Sequence, residues 1–323
     1  MALVANTITR YDATKVVRES LADVIQNISP EDTVMLSNIG QEKADQTYFE
    51  WLTDSLRSAT ADNAALEGDE AAPEARSAQN RVGNYTQIAR IVIGVTGTTE
   101  AVKKAGMKGM LAYELAKAGA ELKNDIEATI LSNNPAVVGN NSTARKTAGI
   151  GAWLRTNVNK ASGGTNPTMS STNDGYPNAG RIAGTARTFT EALLQDTLQK
   201  VWESGGNAKM VLMNGYQKRQ ASAFGGVAAL RNNVSNGPAT VVGSADVYIS
   251  DWGRVSFVAA RHAPTNVAYV VDPSKAAVAF LRNYQTEELA KTGDSEKRML
   301  LAEFGLKVHT EKAHGIVADL TTS

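Results

Sequence analysis

Residues 47–134 constrain this chain more than any other stretch: two extended-looking segments flank a long polar tip and run straight into a long helix. In residues 47–56 alternation places Phe49, Trp51 and Thr53 on one face of a strand. Residues 85–95 repeat the pattern with the β-branched Ile91, Ile93 and Val95. Residues 57–84 between them are dominated by Ala, Ser, Asn and acids, among them Asp62, Glu67, Asp69, Glu70 and Glu74. Structureless loops beyond ~15 residues are uncommon in compact domains unless they bind something or are disordered. A lone two-stranded hairpin is itself marginal in water. The economical reading is an arm stabilised by another subunit, with a disordered surface loop as the alternative.

The helix predicted over residues 97–134 carries Met107, Leu111, Leu115, Ala118, Leu122, Ile126 and Ile130 at spacings of four and three, one apolar stripe. Thr98, Thr99 and Glu100 supply a cap and a first-turn acid, Lys117 and Glu121 an i,i+4 pair, and Asn133-Asn134-Pro135 a stop. About thirty residues at ~1.5 Å each make a rod of roughly 45 Å. Gly106 and Gly109 each weaken it by ~1 kcal/mol relative to Ala, so a bend or break is expected there.

The rest reads as the body that carries this unit. At 323 residues two compact subdomains are expected. The 33 Lys and Arg cancel the 33 Asp and Glu, so any contact with DNA should be local and weak. There is no cysteine, which excludes disulfides, thiolate nucleophiles and Cys-ligated zinc. No apolar run approaches the ~18–20 residues of a membrane span, and the first ten residues lack a signal-peptide pattern. A soluble protein made in the cytosol is expected.

In order, Val16, Val17, Leu21, Val24, Ile25 and Ile28 predict a short amphipathic helix ending at Ser29-Pro30. Residues 135–188 look like a wrapping loop with the apolar island Ile150-Gly151-Ala152-Trp153-Leu154. A capping box of Thr188 and Glu191 starts a helix whose buried face is Leu194, Leu198, Val201 and Trp202, ended by Gly205-Gly206. Strand 209–214, helix 216–224 and β segments at 239–242, 246–250, 255–260 and 267–271 suggest an α+β meander over 190–272. Beyond Asp272-Pro273 come a strand at 276–281, a charged stretch 286–297, and strands 299–309 and 315–320. These last two are expected to pair as a terminal hairpin packed on the long helix.

Chemistry is sparse. His309 and His314 with Glu311 between them are not a zincin pattern, Gly149-Ile150-Gly151 is no dinucleotide fingerprint, and neither a Walker lysine nor a nucleophile elbow is present. The expectation is no enzyme, no catalytic residue, no metal and no cofactor.

Several blocks carry a resemblance: RESLADVIQNISPEDTVMLSNIG at 18–40, FEWLTDSL at 49–56, LAYELAKAGAELKNDIEATIL at 111–131, AGIGAWLRTN at 148–157 and EFGLKVHTEKAHGIVADL at 303–320. In content and order they are similar to the major capsid proteins of tailed bacteriophages, with the Hong Kong 97 (HK97) fold. The resemblance implies an α+β capsid fold with an N-arm at 1–46, an extended E-loop at 47–95, and a peripheral (P) domain of 96–189 and 273–323 with spine helix 97–134. It places an axial (A) domain at 190–272. Such subunits self-assemble into pentamers and hexamers of an icosahedral head around double-stranded DNA, each E-loop lying on an adjacent subunit. The partners so implied are other copies, a portal, a separate scaffolding protein and a decoration protein, with assembly in the host cytoplasm and no membrane.

Some family members carry a lysine–asparagine cross-link; no residue here is matched to one. The acidic tip (Glu67, Asp69, Glu70, Glu74) then calls for a basic patch on the neighbour, with Lys103, Lys104 and Lys108 as candidates and Phe49 and Trp51 as further contacts between subunits. An encapsulin-like nanocompartment with the same fold and a soluble enzyme with an unrecognised site are the alternatives.

Overall fold

The computed structural model describes residues 32–68, 70, 73–74, 76, 78–102, 109–172, 174–224 and 246–322. The expected helix at 16–28 and strand at 239–242 lie outside them.

The long helix is real but shorter than its stripe. Helix α3 (Met110–Leu131) starts after Gly109, whose extended backbone (φ −144°, ψ 133°) breaks it from the one-turn α2 (Gly97–Ala101). Gly109 marks the start of the second piece as expected, while α2 has already ended at extended Val102 and Gly106 lies outside the described residues. Glu100 sits in the first turn of α2 as expected, and its Oε2 also accepts from the Met110 N–H (3.0 Å) at the start of the second piece. Ala118, Leu122, Ile126 and Ile130 are buried, and the turns around Leu111 and Leu115 only half so.

Helix α3 lies on a four-stranded sheet in the order β1 (Gly40–Lys43), β12 (Ala276–Leu289), β13 (Ser295–Val308), β4 (Gln87–Thr96). Inward-facing Ile91, Ile93, Leu300, Ala302, Phe304 and Leu306 meet the helix stripe in one core. Preceding the sheet, α1 (Val34–Asn38) inserts Met35 and Leu36 into the same core. The island at 150–154 is helix α4 (Ile150–Trp153), wholly buried against it.

A second, six-stranded sheet runs β5 (Val158–Asn159), β14 (Gly315–Val317), β11 (Ala268–Val271), β8 (Met210–Met213), β10 (Gly253–Ala259), β9 (Val247–Ser250). Alternation decides which core each side chain joins. Leu212, Tyr269 and Ile316 face the helix α3 core, whereas Val211, Met213, Val270 and Val317 face helix α5 (Glu191–Glu203). Helix α6 (Gly215–Ser222) follows β8, and a small ribbon of β6 (Thr168–Met169) and β7 (Pro177–Ala179) closes the wrapping loop.

Four expectations need correction. Residues 299–309 and 315–320 do not pair: β13 already has β12 on one edge and β4 on the other, so β14 turns away into the six-stranded sheet. The charged stretch 286–297 is the far end of the β12–β13 hairpin, where Glu288 faces Arg298 and Leu289 faces Lys297. The strands of 190–272 are not a simple meander, because β8 inserts between β11 and β10 and runs parallel to β10. Helix α5 starts at Glu191 after Thr190 with no side-chain cap, and Trp202, one step beyond buried Val201, is 59% exposed.

Candidate assembly surface

The arm is a hairpin of β2 (Tyr48–Thr53) with β3 (Asn80–Tyr85), in register from Tyr48↔Tyr85 to Thr53↔Asn80. Of residues 85–95, which the alternation suggested as the arm's second strand, only Tyr85 belongs to it; the rest leave the arm at Thr86 and continue as β4. The crossing point explains why. Thr86 is fully buried, its N–H donates to Thr47 O (2.8 Å), and its hydroxyl donates to Glu303 Oε1 (2.9 Å).

Beside it, buried Asn84 uses both ends of its amide. Its Nδ2 donates to Leu306 O (2.7 Å) and Ala148 O (3.3 Å), while Oδ1 accepts from Ala148 N (3.0 Å) and Tyr85 N (2.9 Å). Glu303, on β13, also holds Arg145 (2.6 Å) and Arg282 (2.8 Å), so one buried carboxylate joins the arm's exit, the loop 137–146 and β12. No sequence pattern marked either residue, since each is one polar position in an otherwise ordinary strand.

Aromatic rings pack the root. Trp51 sits between Phe49 (5.9 Å) and Trp153 (5.4 Å), with Lys307 Nζ 5.9 Å from its centroid. Phe49 lies so close to Gly305 that a Cβ there would meet its ring at 2.5 Å, which makes glycine the residue that lets the arm seat. Tyr48, Tyr85 and Tyr176 cluster on the other face. Phe49 and Trp51 thus pack on their own body. The distal arm differs: residues 54–79 form no strand or helix among those described, Leu56 is 98% exposed and Leu66 81%. Glu67 and Glu70 are exposed, and Glu74 pairs with Arg57 of the same arm (3.2 Å). Asp69, Lys103, Lys104 and Lys108 lie outside the described residues.

The chain's entry is strapped down by charge. Glu127, buried on α3, accepts from Met35 N (2.7 Å) and Leu36 N (2.8 Å) at the start of α1. Burial pushes its carboxyl above the ordinary range, against the pull of those two N–H groups and of His262. Glu42 of β1 meets Lys307 (2.6 Å) and His309 (3.1 Å), and Asp32 meets Arg261 (2.9 Å). At the chain's end Asp319, at φ 61°, accepts from Ala161 N and Gly184 N (both 2.9 Å) and pairs with buried Arg181 (2.5 Å). Burial raises this carboxyl, but the Gly184 and Ala161 N–H groups and Arg181 together hold it below the usual range. His314, wholly buried, accepts at Nδ1 from Asp272 N (3.3 Å) and lies with Nε2 3.3 Å from Lys275 O, which suits a neutral ring protonated at Nε2. Burial lowers it to about 4.

Among the described residues no group of three or more His, Cys, Asp or Glu is placed to hold a metal, and no helix is long and apolar enough to cross a membrane. What these side chains do is lock an extended arm at its root and leave its far part uncovered.

Comparison with known proteins agrees with an assembly role. The sequence profile described as "SU10 major capsid protein" matches residues 4–321. A major capsid protein of Escherichia phage Phieco32 is 29% identical over 335 residues, covering 92% of this chain and 93% of its own length. The capsid protein of cyanophage A-1(L) superposes with a TM-score of 0.69 at 12% identity over 98% of this chain and 100% of its own, and an encapsulin of Synechococcus elongatus PCC 7942 with 0.56 at 11% over 98% and 97%.

Proposed function

Because this chain belongs to the SU10 major capsid protein family, with the HK97-like fold of phage capsids, its role is that of a phage major capsid protein, and we propose how it performs it. Copies join into pentamers and hexamers and close into an icosahedral head around double-stranded DNA, each clasping a neighbour with its arm. The observation that carries this reading is the arm itself: fixed to its own body from Tyr48 to Thr53, and beyond that without strand or helix among the described residues, with two leucines in solvent. Covering them on another copy recovers the burial one subunit cannot supply, at ~25 cal/mol per Å² of apolar surface. Many such modest contacts sum to a stable shell through avidity.

In this reading the body of α3 and the four-stranded sheet is the P domain, residues 190–272 gather at the axes as the A domain, and residues 1–46 are a second clasp. Portal, separate scaffolding protein and decoration protein are its further partners, assembly takes place in the host cytoplasm, and contact with the packaged DNA is weak and non-specific. The balanced charge suits copies that must sit side by side without repulsion. The role is structural rather than enzymatic. The test is deletion of residues 60–78: a folded subunit with much lower shell yield is expected, and unchanged assembly with unchanged particle stability would sink the clasp.

The likeness to an encapsulin favours one second reading, a shell around cargo protein. Purified particles holding protein and no DNA would support it.

A further inference from the structure

In the four-stranded sheet β4 is an edge. Its only strand partner among the described residues is β13, and no backbone hydrogen bond to a described residue leaves the opposite edge of residues 88–96. Natural edges are blunted by proline, charges, bulges or brevity. This one has ten residues, no proline, an unbroken register and one charged side chain, Arg90. It is a ready template for another strand.

Its solvent-facing row is Ile88, Arg90, Val92 and Gly94, with Ile88 47% and Val92 50% exposed. At the Ile88 end, the loop 137–146 adds half-exposed Val138 and Arg145 to make an open trough of about 380 Å³. Across β13 the same face presents Lys297 opposite Gly94, and Glu303 with its two arginines opposite Ile88. Arg90, Arg145, Arg282 and Lys297 here exceed Glu303 and Glu287, so the face is apolar with a cationic surplus.

The arm is its complement. Residues 54–79 hold six acids (Asp54, Asp62, Glu67, Asp69, Glu70, Glu74) and two arginines. Leu56 and Leu66 are ten residues apart, an even number, so an extended strand shows both on one face, ~33 Å apart. The ten residues of β4 span about the same length. We propose that the distal arm of a second copy adds as a strand to the free edge of β4, setting one of these leucines in the Ile88–Val138 trough and its acids against Arg90 and Lys297. This rests on the shell reading and names the surface the clasp grips.

The absence of cysteine makes the test clean. A chain carrying Leu66→Cys is co-assembled with one carrying Val138→Cys, and Leu56→Cys replaces Leu66→Cys for the opposite strand direction. All three positions are exposed or half-exposed, and a disulfide needs its Cβ atoms within ~4.5 Å. A linked heterodimer on a non-reducing gel is expected from one of the two pairings, at least tenfold above the same arm cysteine paired with Trp202→Cys. Shells in which neither pairing, nor either leucine with Ile88→Cys, exceeds that control overturn the docking and leave the shell reading standing. An unsubstituted chain that forms no shells under any condition overturns both. If the cysteine variants alone fail to assemble, charge exchange decides: Arg90→Glu lowers shell yield, and Glu67→Arg with Glu70→Arg restores it, whereas no restoration overturns the proposal.

Discussion

At the scale of single residues, His314 ties stability to pH. Its unfolded form takes up a proton near 6.5 and its folded form near 4, so between those values the folded chain binds fewer protons. Its contribution is fully present above about 6.5 and is lost as pH falls towards 4, about 3 kcal/mol at ~1.4 kcal/mol per unit. Glu127, raised by burial, titrates with the opposite sign, so the His314 share is read as a difference between chains. Thermal melting of wild type and His314→Gln from pH 7.5 to 4 should show a variant less stable at neutral pH and flatter in acid; parallel curves would contradict this. Glu303 offers a second test. Glu303→Gln leaves Arg145 and Arg282 facing each other without their anion. Both arginines are partly solvated, so the loss should be about 2 kcal/mol, below that of a fully buried pair, and is measured by urea unfolding.

At the scale of elements, Asn84 is the pin of the arm. Asn84→Ala removes two donors and an acceptor and strands buried partners at Leu306, Ala148 and Tyr85, at a cost of ~2–3 kcal/mol. Hydrogen exchange at β2 should then quicken while that at α3 does not, and unchanged exchange at β2 would show that the aromatic root suffices. Period alone made most elements legible. The stripe from Ala118 to Ile130, the break at Gly109, the inward Ile91 and Ile93, and the Gly205-Gly206 stop all follow from local chemistry. What stayed hidden is pairing between distant strands. Residues 85–95 alternate like a hairpin partner for 47–56, but buried Thr86 and Asn84 divert them into another sheet, and no local signal marks that turn. Glu127 stayed hidden too, because its partners Met35 and Leu36 are over ninety residues away in the chain.

At the scale of the whole molecule, the two sheets share one core through the alternate faces of β8, β11 and β14, so the body is a firm base for a projecting arm. Among the described residues the distal arm and the edge of β4 are both exposed and opposite in charge, and the Leu56–Leu66 spacing matches the length of β4. The measurement that tests the account most directly is hydrogen–deuterium exchange of residues 54–67 in the free subunit and in the assembled particle. The account predicts fast exchange in the free subunit and strong protection in the particle, with residues 88–96 protected in parallel. Equal exchange of 54–67 in both states would contradict it.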